Sequence, residues 1–209
     1  MIGARFYSVF HFLLLCILLF WNYIANSGSL PYTMGELSAK YPTLFTPAPY
    51  AFAIWGVIYL GLVALAIYML YAAFKKGFPD DFIPKSASYL SISYIIKNLI
   101  ILVSLIDLLF GWICVATVAN ITIYLYSIGW DGMSLSEQNW TYIMIGLVTA
   151  LGLILIASRN MREVAAVFIW ALIAIAYKQW DVNPEISYLA VAGIVTLGVY
   201  SSIHAMQNQ

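Results

Sequence analysis

Residues 82–128 read FIPKSASYLSISYIIKNLIILVSLIDLLFGWICVATVANITIYLYSI. How often this stretch crosses a membrane decides the fold. It is too long for one span of roughly 17–25 apolar residues, yet it has no proline or glycine turn in its middle. One reading places two helices here, at about 86–104 and 107–128, and gives the chain seven spans. The other places an interfacial helix near 82–97 and one long span at about 98–127, and gives six.

Outside this stretch the spans are easier to place. Apolar runs predict helices at about 6–24, 50–74, 140–158, 163–178 and 186–205. The run at 163–178 is short and carries charge at both ends, with Glu163 and Lys178. Charge then separates six spans from seven, because cytoplasmic loops are enriched in Lys and Arg. With six spans and the N-terminus inside, the inner side collects Arg5, Lys75, Lys76, Lys85, Lys97, Arg159 and Arg162, and the outer side keeps only Lys40 and Lys178. With seven, Arg159 and Arg162 join Lys40 outside, and Lys97 is left within the bilayer. A mid-helix ammonium there costs about 2.5–3.5 kcal/mol on insertion scales. The expected fold is therefore all-α, a polytopic transmembrane bundle of six spans plus an interfacial helix near 82–97, in a single domain over residues 1–209. Seven spans is the alternative.

The composition fits no soluble class. Of 209 residues, 64% are hydrophobic and 9% charged, against roughly 45–50% and about 25% in soluble domains. Nine basic residues balance nine acidic ones, so there is no electrostatic footprint for nucleic acid. Cys16 and Cys114 both lie in apolar runs, which suits packing better than a disulfide or metal pair. The N-terminal run at 6–24 follows Arg5 and precedes Ala25, Asn26, Ser27 and Gly28, much as in a signal peptide. It is long enough to span, and is read as a retained first helix. Trp21, Trp130, Trp140 and Trp180 fall near the outer interface, where an indole keeps its N–H wet. Trp55, Trp112 and Trp170 fall deeper.

The first outer loop, residues 25–49, carries Gly28, Pro31, Gly35, Pro42, Pro47 and Pro49. Its prolines fix φ and predict an extended entry into the second helix. There Phe52, Trp55 and Tyr59 fall at i, i+3 and i+7, on one helical face. The pattern Pro47…Trp55-Gly56-x-x-Tyr59 resembles the TspO/MBR family, the tryptophan-rich sensory or translocator proteins, in which a proline-rich loop leads into a Trp-Gly-x-x-Tyr helix. Trp112, Ala116, Thr117, Val118 and Asn120 are similar to the Trp-x-x-x-Ala-Thr-Val-x-Asn pattern of that family's last core helix. Trp170-Ala171-Leu172 and Lys178-Gln179 are similar to a continuation in longer bacterial members. The resemblance touches about residues 40–75 and 105–205.

One departure stands beside this likeness. The family core has five helices, with an Asn-x-x-Trp motif on the third. Here only 32 residues separate Phe74 from Asp107, and Asn98 is followed by Leu99, Ile100 and Ile101. The chain looks like a member lacking one helical hairpin. The resemblance implies a flat apolar ligand (porphyrin or haem, a sterol, or a carotenoid) and a homo-oligomer. It implies a site walled by Pro47, Phe52, Trp55, Tyr59, Trp112 and Asn120, with residues 46–52 as lid. Packing of helix on helix is the competing role for the same aromatics.

Two polar groups inside the spans remain. Asp107 lies roughly 13 Å along a helix started at Asn98, and His11 roughly 9 Å from the Arg5 end of the first helix. Charges at such depth seek partners inside a bundle, so His11 and Asp107 are expected to form an intramembrane pair. A neutral Asp107 bonded to a neighbouring helix is the alternative. His204 reads as interfacial, and the Arg159, Arg162 and Glu163 turn as a topology signal. No Ser-His-Asp grouping, Cys/His cluster or phosphate-binding glycine loop is visible, so no enzyme and no metal site are expected.

The sequence thus points to an integral protein of a bacterial inner membrane or an organellar membrane, with both termini cytoplasmic and lipid around it. The resemblance implies that its function is to bind a flat apolar ligand. The alternative is a structural or accessory subunit of a larger membrane complex, packing through small residues such as Ala165, Ala166, Ala174 and Gly193.

Overall fold

The computed structural model describes residues 2–29, 32–33, 36, 39–41, 43–75 and 89–207, with side chains described for all of these except 2–4, 7 and 89–106. Six α-helices run through the described residues: α1 Ile2–Asn26, α2 Ile54–Phe74, α3 Tyr89–Ser127, α4 Glu137–Arg159, α5 Arg162–Gln179 and α6 Pro184–Gln207. Two short 3₁₀ turns, Pro49–Ala53 and Gly132–Ser134, precede α2 and α4. Among the described residues five helical segments are long and apolar enough to cross a membrane: Ser8–Asn26, Pro49–Phe74, Asp107–Ser127, Glu137–Arg159 and Pro184–Gln207. The sixth helix, α5, has 18 residues and carries Arg162, Glu163 and Lys178.

The six helices match the expected number, but the stretch that decides the count is built differently from either reading. Residues 89–127 form one helix of 39 residues. At 1.5 Å per residue it is about 58 Å long, nearly twice the ~30 Å hydrocarbon core. The interfacial helix expected near 82–97 is therefore not a separate element. Its start at 82–88 lies outside the described residues, as do Lys76, Lys85, Pro31, Gly35 and Pro42. The physical reason is that nothing between Tyr89 and Phe110 breaks a helix. Lys97 and Asn98 change the polarity of the chain without capping it, and a change in polarity alone does not end an α-helix.

The chain divides into two compact units, Met1–Thr33 with Ile54–Ile106, and Met34–Ala53 with Asp107–Gln209. In the first unit α1 and α2 pack antiparallel. Near one end the Arg5 Nε donates to the Ala73 carbonyl at 3.2 Å, and its guanidinium lies 5.5 Å over the Phe74 ring. Toward the other end Asn22 donates its amide N–H to the Tyr59 hydroxyl. Arg5 and Lys75 thus share an end, as the charge count requires. Ser8, Ile58 and Ala66 are buried, while Phe10, Leu13, Leu14, Ile17 and Trp21 on α1 face outward.

In the second unit α5 is the centre. Val164, Ala165, Val167, Phe168, Ala171, Leu172, Ala174, Ile175 and Ala176 are all buried along it. Two-residue connection at Asn160 and Met161 brings α5 back against α4, with Asn160 in the left-handed region at φ 56° closing the end of α4. Ser136 caps the start of α4 by accepting the Asn139 N–H. Small residues let the helices close in. A Cβ on Gly193 of α6 would lie 2.7 Å from Thr149 Oγ1 on α4 and 3.1 Å from Leu172 Cδ1 on α5. Ala165, Ala174 and Gly193, expected as a face for a partner, are buried inside this unit, whereas Ala166 is exposed. Ser187 on α6 donates to the Ala176 carbonyl at 2.9 Å, and Glu185 accepts from Tyr142 at 2.7 Å and Gln138 at 2.9 Å on α4.

Candidate ligand site

The segment 43–53 leads into α2 and belongs to the second unit, where it lies against α5. Pro47 and Pro49 have no N–H to place, and a loop of this kind leaves carbonyls in need of donors. Those donors come from side chains on α5. Gln179 donates to the Leu44 carbonyl at 2.9 Å, Lys178 Nζ to the Thr46 carbonyl at 3.1 Å, and Trp170 Nε1 to the Ala51 carbonyl at 3.0 Å. In the other direction the Ala48 N–H reaches the Ala174 carbonyl at 3.2 Å, and the Leu44 N–H reaches Glu137 Oε1 at 2.8 Å. Thr43 and Thr46 close the turn through their hydroxyls, 2.7 Å apart.

Packing follows the same line. Phe45, Ala48 and Ala51 are buried, and Tyr50 sets its ring edge-on to Trp170 at 5.6 Å and to Tyr177 at 5.8 Å. The loop expected as a lid is thus fastened along its length to a buried helix and forms a fixed wall. Pro47 is buried within it.

The aromatic residues of the sequence motif form two pairs. In the second unit Phe52 meets the buried Trp112 of α3 edge-on, with centroids 6.0 Å apart and planes at 88°. In the first unit Trp55 stacks on Tyr59, one turn further along α2, at 5.2 Å and 18°. Of Phe52, Trp55 and Tyr59, expected on one helical face, Trp55 and Tyr59 lie within α2. Phe52 lies in the 3₁₀ turn that precedes α2, so it is not part of that α-helix. Asn120 is exposed on α3, eight residues or about 12 Å beyond Trp112, so the two are not brought together.

His11 and Asp107 lie in different units. His11 is exposed and has Phe10 as ring neighbour at 6.3 Å. Asp107 is buried, and its charged neighbour within its own unit is Glu163 on α5. Among the described residues no group of three or more His, Cys, Asp and Glu is placed to hold a metal ion. Sequence reasoning did not assign Trp170, Lys178, Gln179 and Glu137 to this site. The signal was present in the Trp-Ala-Leu and Lys-Gln pairs, but their role depends on contacts across more than a hundred residues.

A family model described as TSPO-like protein matches the chain over residues 8–109 and again over 104–203. Both aromatic pairs and the entire α5 clamp fall within the matched residues. No curated protein and no solved structure matches the chain significantly.

Proposed function

The chain belongs to the TSPO-like protein family, and from that premise we propose that it binds a flat apolar ligand, a porphyrin or haem, a sterol or a carotenoid, through the aromatics at the entry to α2 and on α3. The observation that carries this reading is the pairing of Phe52 on Trp112 in the second unit, where the loop leading into α2 is already fastened; Trp55 stacks on Tyr59 in the first unit. Flat π-faces suit tetrapyrroles and fused rings, and a preformed wall lowers the ordering cost of binding. The role is binding rather than catalysis. Pro47, Phe52, Trp55, Tyr59 and Trp112 would shape the site. Both termini would face the cytoplasm, since seven of nine basic residues then lie inside.

The test is a titration of the purified full chain in detergent with haem and with protoporphyrin, followed by absorbance and tryptophan quenching. A saturable change is expected, with affinity reduced about tenfold or more by Trp55→Ala, in line with an aromatic contact worth ~1.5 kcal/mol. Flat titrations with tetrapyrroles, a sterol and a carotenoid alike would reject the proposal.

A further inference from the structure

A cavity lies in the second unit, between the end of α3 and the start of α4. It holds about 200 Å³ and is lined by residues that include Tyr126, Trp130, Asp131, Glu137, Trp140 and Met144. Glu137, which accepts the Leu44 N–H, and Thr43, which also lines the cavity, are shared with the fastened loop described above; Tyr126, Trp130, Asp131, Trp140 and Met144 are not. The lining combines three features. Trp130 and Trp140 meet at 5.2 Å with planes at 51°, forming a corner of two π-faces. Two carboxylates, Asp131 and Glu137, border it, and none of the described lining residues is Lys, Arg or His. The volume is below the ~300–1,000 Å³ usual for drug-sized ligands, so a tetrapyrrole does not fit.

The corner is held in place. Trp140 Nε1 donates to the Gly132 carbonyl at 2.7 Å, which fixes its ring against the turn. Asp131 Oδ1 accepts the Met133 N–H at 3.0 Å, and Glu137 Oε1 accepts the Leu44 N–H at 2.8 Å, so each acid is anchored through one oxygen. Lys178 interacts electrostatically with Glu137. Among the described lining residues the charged groups are these two acids. The spanning segments end at Ser127 and begin again at Glu137, so the cavity lies where chain leaves and re-enters the apolar layer.

We propose that this corner is a binding site for a small organic cation of the quaternary-ammonium class. Indole faces attract such cations electrostatically, and methyl groups on nitrogen suit an apolar floor better than a hydrated metal ion would. Phosphatidylcholine headgroups and free choline-like solutes share this chemistry, and the level of the cavity admits both.

The probe is tetramethylammonium chloride, added to the full chain in maltoside detergent and followed by calorimetry and tryptophan emission, with sodium chloride at matched ionic strength as reference. Saturable binding is expected for tetramethylammonium alone. Trp130→Leu should weaken it tenfold or more, and Asp131→Asn several-fold. The asparagine keeps an oxygen for the Met133 N–H, so that variant tests charge without removing the turn. Trp55→Ala should leave tetramethylammonium binding unchanged, which separates this site from the tetrapyrrole site. A response equal to that of sodium, or binding unaltered in both Trp130→Leu and Asp131→Asn, would overturn the proposal. In nanodiscs, binding suppressed by phosphatidylcholine but kept in phosphatidylglycerol assigns the site to a lipid headgroup. Binding kept in both assigns it to a free cation.

Discussion

Helices α1 and α5 invert the usual relation between apolarity and burial. α1 is the longer and carries no acid, yet most of its large side chains face outward: Ile17 is 64% exposed. α5 carries charge at both ends and is the most enclosed helix, with Phe168 and Leu172 fully buried. In water such a pattern would be wrong for both. In lipid it is expected, because hydrocarbon tails solvate leucine as well as a protein core does. What selects a helix for the centre is then small residues that allow close approach, together with side chains that satisfy neighbouring backbone. α5 has both, in its alanines and in Trp170, Lys178 and Gln179.

The sharpest way to break this comparison is to truncate one buried and one outward side chain. Phe168→Ala should lower stability by about 3–5 kcal/mol, as large-to-small changes in closed cores do. Ile17→Ala on α1 should change it by no more than about 0.5 kcal/mol. Both are measurable by denaturant-induced unfolding in mixed micelles. Comparable losses at the two positions would show that α1 is as enclosed as α5. Next in size, Gly193→Leu places atoms where Thr149 and Leu172 already stand, and should cost about 1–3 kcal/mol. The same change at Gly198, where a Cβ meets nothing within 4 Å, should be nearly silent in the same assay. The smallest effect sharpens the other half of the argument. Gln179→Ala removes one donor from the clamp and should cost about 1 kcal/mol. Hydrogen exchange should quicken through residues 44–51 and stay unchanged at Val164, on the opposite end of α5.

Much of the fold was legible in the order of apolar runs, and six helices follow from them with the proline-rich entry to α2. Two things were not. The junction expected near residue 97 had no physical marker, since a lysine and an asparagine alter where a helix sits in a membrane without ending it. The central place of α5 was hidden by its charges, which made it look like the weakest span. Ala165, Ala174 and Gly193 gave the right chemistry, close approach, but not the surface they approach. At the site the Trp55–Tyr59 stack follows directly from i, i+4 spacing on a helix. The Phe52–Trp112 contact does not, because it depends on where a 3₁₀ turn gives way to α-helix and on a residue sixty positions away.

The clamp on residues 43–53 also has a consequence in time. The donors that hold the loop lie 119, 132 and 135 residues further along the chain. At translation rates of roughly 5–20 residues per second, the loop is made about 7–27 s before its last fastening exists. Throughout that interval its carbonyls must rely on water or on insertion factors. The wall of the site is therefore among the first parts of the protein to be made and among the last to be finished. A chain interrupted before Glu137 would reach the membrane with its aromatic motif complete and without the partners on α4 and α5 that hold the loop.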